Sequence, residues 1–123
     1  MLKKHIDTTT KVKKIVEGIQ ELKGKQIVTV DMTKLGDAPC SYFVICQGDS
    51  NTHVNSIVNS VKRWVCEKIR VRPAEIDGLE NCRWVAMDYG EIIVHVFQRH
   101  DREFYDLENL WLNAQLTWYE DVA

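Results

Sequence analysis

Hydrophobic and polar positions follow two different rhythms along this chain. From Thr8 to Leu22 the apolar residues are Val12, Ile15, Val16, Ile19 and Leu22. Steps of three and four predict a helix with one buried stripe. Asp7 or Thr8 is placed to cap its start, and Gly24 to end it. The rhythm then shortens. Ile27-Val28-Thr29-Val30 predicts a strand that ends through Asp31-Met32-Thr33, and Leu35 to Pro39 reads as a loop. Tyr42-Phe43-Val44-Ile45-Cys46 predicts a second, buried strand, broken by Gly48-Asp49-Ser50. Helical spacing returns at Val54, Ile57, Val58, Val61, Trp64, Val65 and Ile69, behind a cap at Asp49 or Ser50. Pro73 forces that helix to end by about Arg70–Arg72.

The last third is the densest part of the pattern. Ala74 to Asp77 reads as a short edge strand, and Gly78 to Asn81 turns the chain. Two β-rich runs then flank Asp88-Tyr89-Gly90-Glu91, with glycine supplying a hairpin signal. The second run, Ile92 to Phe97, is apolar on both faces, as expected of a strand covered on both sides. Gln98 to Asp101 reads as a loop. Arg102 to Trp111 reads as one or two helical turns, with Phe104, Leu107, Leu110 and Trp111 available to pack. Residues 112–123 form a C-terminal tail. The order predicts an α+β fold, an αβ sandwich: a mixed four- to five-stranded β-sheet with helices packed against it.

With 123 residues, the chain is long enough for one hydrophobic core, so residues 1–123 are read as a single domain. No run of 18 apolar residues exists, so nothing predicts a bilayer span. Met1-Leu2-Lys3-Lys4-His5 has no apolar stretch behind its lysines and does not read as a secretory signal, so a cytoplasmic location is expected. Cys40, Cys46, Cys66 and Cys82 form no C-x-x-C pair. They read as reduced, structural cysteines, with Cys46 and Cys66 serving as small hydrophobes.

Charge is uneven. Residues 1–25 hold seven lysines against Asp7, Glu17 and Glu21. Residues 101–123 hold Arg102 against Asp101, Glu103, Asp106, Glu108, Glu120 and Asp121. The acidic end repels phosphate and suits a basic protein. Only the first helix offers a basic surface, and a modest one, so little direct nucleic-acid contact is expected.

Chemistry-bearing motifs are sparse. Gly48-Asp49-Ser50 lies between a strand and a helix N-terminus, where a phosphate could sit, yet it matches neither glycine-rich phosphate loop, and helix capping accounts for the residues. His5, His53, His95 and His100 show no metal-ligand spacing, and His95 reads as a strand residue bonded to a neighbour. Asp31, Asp77 and Asp88 fall at strand ends without a D-x-D or D-x-E pair to aim two carboxylates at one ion. No catalytic residue, metal site or cofactor is assigned. A small nucleotidyl- or phosphotransferase is the alternative reading. Trp84, Tyr89, Tyr105, Trp111, Trp118 and Tyr119 alternate with acids, as rings do in a protein-binding patch with a charged rim.

Several blocks carry a family likeness. Tyr42-Phe43-Val44-Ile45 followed by Gly48-Asp49-Ser50-Asn51-Thr52-His53 resembles the Y-F-V-I…G-x-S-x-x-H motif of the ribosomal silencing factor family, also called Iojap-like. Asp77-Gly78-Leu79-Glu80, Arg83-Trp84-Val85, Asp88-Tyr89-Gly90, Val94-His95-Val96-Phe97 and Arg102-Glu103-Phe104-Tyr105-Asp106-Leu107-Glu108 follow in the family order, over roughly residues 8–114. Ser41 departs from the acid common before Y-F-V-I, and Leu112-Asn113 from a frequent glycine-acid pair. The resemblance implies a nucleotidyltransferase-like core without catalytic carboxylates. It implies binding to the large ribosomal subunit through the ribosomal protein numbered fourteen on the intersubunit face. It further implies that small-subunit joining is blocked, that translation is damped when nutrients are scarce, and that a homodimer is one form of the chain. Carried onto this sequence, the partner-binding residues are Trp84, Asp88, Tyr89, Tyr105, Asp106, Leu107 and Trp111.

Overall fold

A computed structural model describes residues 6–123. The reading of Met1 to His5 lies outside the described residues. Helix α1 spans Thr8–Glu21, with Asp7 capping it by accepting a hydrogen bond from the Thr10 N–H. Strands β1 (Lys25–Asp31) and β2 (Tyr42–Gly48) follow, then helix α2 (Asn51–Ile69). Ser50 caps α2, its Oγ accepting from the His53 N–H at 3.0 Å. Next come β3 (Glu75–Asp77), β4 (Trp84–Asp88), β5 (Ile92–Gln98), the short helix α3 (Arg99–Tyr105), a 3₁₀ turn at Leu107–Asn109, and β6 (Gln115–Trp118).

The strands form one mixed sheet in the order β3-β4-β5-β2-β1-β6. Only β2 and β5 run parallel, in register from Tyr42 opposite Ile92 to Gly48 opposite Gln98; the other neighbours are antiparallel. Gly90 closes the β4–β5 hairpin with φ +86°, a conformation L side chains avoid. The α+β sandwich expectation therefore stands, with a sheet one strand wider than the four to five expected.

The extra strand comes from the segment read as tail. Leu116 and Trp118 pair with Val30 and Val28 along the free edge of β1. A four-residue alternation is too short to signal a strand alone; an open neighbouring edge decides it. Helix α3 also begins at Arg99, three residues before the expected turn. Its first turn is polar, and Asp101 and Arg102 are nonetheless buried.

Strand alternation divides the core in two. Helices α1 and α2 cover one face, packing Ile15, Ile19, Ile57 and Val61 against Val44, Val85, Val94 and Val96. Val28, Val30, Phe43, Ile45 and Phe97 point the other way and are roofed by short segments and loops, including Leu35, Leu107, Trp111 and Ala114. The four cysteines are free, and burial pushes the Cys46 thiol up to about 12. No helix among the described residues is long and apolar enough to cross a membrane.

Candidate functional site

The face away from the long helices is aromatic. Trp84 lies half-buried on β4, stacked on Phe97 at 4.9 Å between ring centroids and touching Tyr105 at 4.7 Å. Tyr105 in turn meets Phe104 edge-on at 5.0 Å. The rings thus run from the core, at Phe97, out to solvent, at Phe104. Trp84 Nε1 donates to His95 Nδ1 at 3.0 Å, which fixes the indole plane. That bond requires an unprotonated Nδ1, and burial pulls the His95 pKa down to about 4. The expected neighbour of His95 is therefore Trp84.

Two polar clamps hold α3 against the sheet. The Arg83 guanidinium grips the Asp101 carboxylate with both Nη2 (2.9 Å) and Nε (3.3 Å). Arg102 is buried, donates through Nη1 to the Gln26 carbonyl, and faces Glu108 at 3.5 Å. The Trp118 ring lies over its guanidinium at 5.5 Å. Arg102 thus joins α3, the 3₁₀ turn, β1 and β6. Asp106 ends α3 with φ +45°, and its Oδ1 accepts from the Asn109 side-chain amide at 2.7 Å. After this bend Leu107 and Glu108 turn back onto the sheet, and Asn109 and Leu110 face solvent.

Six of the seven sequence-predicted residues share this side. Tyr105 and Asp106 are exposed; Trp84, Asp88, Leu107 and Trp111 are half-buried. Asp88 accepts from the Gly90 N–H through Oδ1 and so also shapes the hairpin. Tyr89 is the exception and is a correction. One residue beyond Asp88, alternation turns it into the helix-covered core, where it is buried and burial pushes its phenol pKa up. It is not available to a partner docking on the aromatic face.

Sequence reasoning passed over Phe104, Leu110 and Leu112 as exposed groups. They are 73%, 62% and 85% exposed. A signal existed: Leu110-Trp111-Leu112 is too apolar for one short turn to bury whole, and the structure buries mainly Trp111, edge-on to Phe43 at 6.4 Å.

The strand-to-helix block has a structural explanation. His53 Nδ1 accepts from the Asp49 N–H at 2.9 Å, and Nε2 meets the Leu22 carbonyl at 2.7 Å, tying the start of α2 to the end of α1. A Cβ on Gly48 would stand 3.1 Å from the Val54 nitrogen, so glycine lets the strand meet the helix. Asp31 lines a groove on the α1 side, while Asp88 lies on the opposite face. No group of three or more His, Cys, Asp or Glu among the described residues is placed to hold a metal ion.

Known proteins place the chain. The family described as ribosomal silencing factor during starvation matches residues 5–123. This chain belongs to the ribosomal silencing factor family. A relative from Halalkalibacterium halodurans, named ribosomal silencing factor RsfS, is 32% identical over 107 residues, covering 87% of this chain and 90% of that protein. The protein of that name from Bacillus subtilis is 33% identical, covering 76% and 78%. A crystal structure of a Chromobacterium violaceum protein superposes with a TM-score of 0.80 at 31% identity, covering 86% of this chain and 87% of that one. More distant relatives include the mouse mitochondrial assembly of ribosomal large subunit protein 1, 36% identical over 57% of this chain and 32% of that protein.

Proposed function

We propose that this chain is a cytoplasmic ribosomal silencing factor that acts by occupying space. Its aromatic face docks on a basic ribosomal protein of the large subunit, the one numbered fourteen, on the intersubunit side. The small subunit is then kept from joining, and translation falls when nutrients are limiting. The family membership and its relatives' names support the ribosomal target. The observation that carries the docking surface is the exposure of Phe104, Tyr105, Leu110 and Leu112 on the side of the molecule that also bears Asp88 and Asp106. Exposed rings with an acidic rim are what a cationic protein surface needs. Trp84 supports the rings from beneath, and Asp88 and Asp106 supply the charge. Nothing in this mechanism requires turnover.

Sedimentation of the purified chain with large ribosomal subunits tests the reading. The parent should travel with the subunits and reduce the yield of joined ribosomes. Phe104→Ala with Tyr105→Ala, and separately Asp88→Lys, should weaken that binding tenfold or more with the circular dichroism unchanged. Equal binding by these variants would mean that the face is wrongly assigned.

A further inference from the structure

We propose that the opposite side of the same sheet edge carries a second docking surface, a basic cleft for the phosphate backbone of RNA. Residues 62–72 hold Lys62, Arg63, Lys68, Arg70 and Arg72 against Glu67. Along the sequence these look like the solvated side of a helix. Folding draws Lys62, Arg63 and Arg72 around a hollow. Helix α2 stops at Ile69, Arg70 takes a left-handed conformation (φ 60°, ψ 35°), and the chain doubles back through Arg72 and Pro73 to β3. Arg72 then shares a cleft of about 550 Å³ with Asn59, Lys62, Arg63 and Ile76, where Glu75 is the one acid against three cations.

The cations here are uncommitted. Lys11, Lys14 and Lys25 are each paired with an acid, as are Arg83, Arg99 and Arg102. Lys62, Arg63, Arg70 and Arg72 are exposed and take part in no ion pair among the described residues. The basic surface that the sequence assigned to the first helix is thus partly neutralised, and a group of unpaired cations gathers at the other end of α2. None of the large exposed apolar side chains lines this cleft, so the ring anchors of a protein-docking site are missing. A concave surface of unpaired guanidinium and ammonium groups is the footprint of a phosphate backbone.

Its position adds to the case. Ile76 of β3 faces the helix layer, while Trp84 and Asp88 on the neighbouring β4 belong to the other face. A particle that presents protein and RNA side by side would be gripped around the β3–β4 edge. In naming RNA as the second contact on such a particle, the proposal rests on the docking reading above.

The test uses the full chain and a protein-free RNA duplex of roughly 20 base pairs, a span of about two turns. Anisotropy titrations at several salt concentrations should give a parent slope of about −2 to −3 in log affinity against log salt, given three cations lining the cleft. Lys62→Glu/Arg63→Glu/Arg72→Glu should flatten that slope toward zero and cost at least tenfold in affinity at low salt. It should also weaken sedimentation with large subunits at least tenfold while the melting temperature holds. A triple variant matching the parent, or a parent without salt dependence, would overturn the proposal. So would a triple variant that loses capture of an acidic protein yet keeps its RNA affinity. Failure of the Phe104 and Tyr105 variants to weaken subunit binding would sink the docking reading alone, because the duplex contains no protein.

Discussion

The two faces of the sheet solve the burial problem in different ways. The helix-covered face is aliphatic. Ile15, Ile19, Ile57, Val61, Val85 and Val94 are wholly buried, and two long helices bring their stripes to it whole. The opposite face is aromatic and roofed by a seven-residue helix, a single 3₁₀ turn and loops. Its roof is fastened by charge, through Arg83–Asp101 and Arg102–Glu108, and it leaves Phe104, Leu110 and Leu112 in solvent. His95 Nε2, Arg102 Nη2, Glu108 Oε1 and Trp111 Nε1 in this layer have no hydrogen-bond partner among the described residues. Close aliphatic packing makes one face a foundation. A short roof held by a few polar clamps makes the other a surface to be read.

The largest expected effect comes from cutting a clamp. Arg102→Leu leaves the buried Glu108 carboxylate without its cation and should cost about 3–5 kcal/mol in denaturant unfolding. Adding Glu108→Leu should recover most of that loss. If it does not, the bond to the Gln26 carbonyl matters more than the ion pair.

Ile57→Ala sharpens the contrast from the other side. It opens a cavity between α2 and the sheet and should cost about 2–5 kcal/mol. Its affinity for large subunits, measured on folded protein, should stay at the parent value. A matching loss of binding would show that the two faces are mechanically coupled.

The next effect is a pH dependence confined to the aromatic face. In the unfolded chain His95 protonates near its ordinary value of 6.5, but in the fold only near 4. The unfolded state therefore binds more protons between those values. The contribution of His95 to stability is complete above pH 6.5, declines as pH falls toward 4, and changes no further below. The slope is at most about 1.4 kcal/mol per pH unit. The difference in unfolding free energy between the parent and His95→Gln, followed from pH 7 to 4, isolates it. A difference that stays flat would show that the imidazole is not held neutral.

The smallest effect on stability belongs to the most exposed residues. Phe104→Ser and Leu112→Asn should each stay within about 0.5 kcal/mol of the parent. Phe104→Ser should still reduce sedimentation with large subunits. A large stability loss from either would mean the roof depends on side chains that look free.

Much of this was legible beforehand because the signals were local. Asp7, Ser50 and Pro73 punctuate helices wherever they stand, and Gly90 marks its hairpin. The family blocks were legible as blocks, but their division of labour was not. Gly48 and His53 join β2, α1 and α2, Arg102 and Glu108 clamp the roof, and Tyr105 and Asp106 lie on the surface. Several of these roles depend on partners 30 to 80 positions away, such as His53 with Leu22 or Arg102 with Gln26.

The amino-acid order by itself determined the two long helices, the five earlier strands and the family, since periodicity and capping act between near neighbours. Tertiary structure alone decided that 115–118 becomes a strand, that Tyr89 turns inward while Asp88 does not, and which cations remain free. Those outcomes depend on a vacant sheet edge, on the face each strand residue meets, and on acids brought close from distant parts of the chain. None of these exists until the sheet has formed.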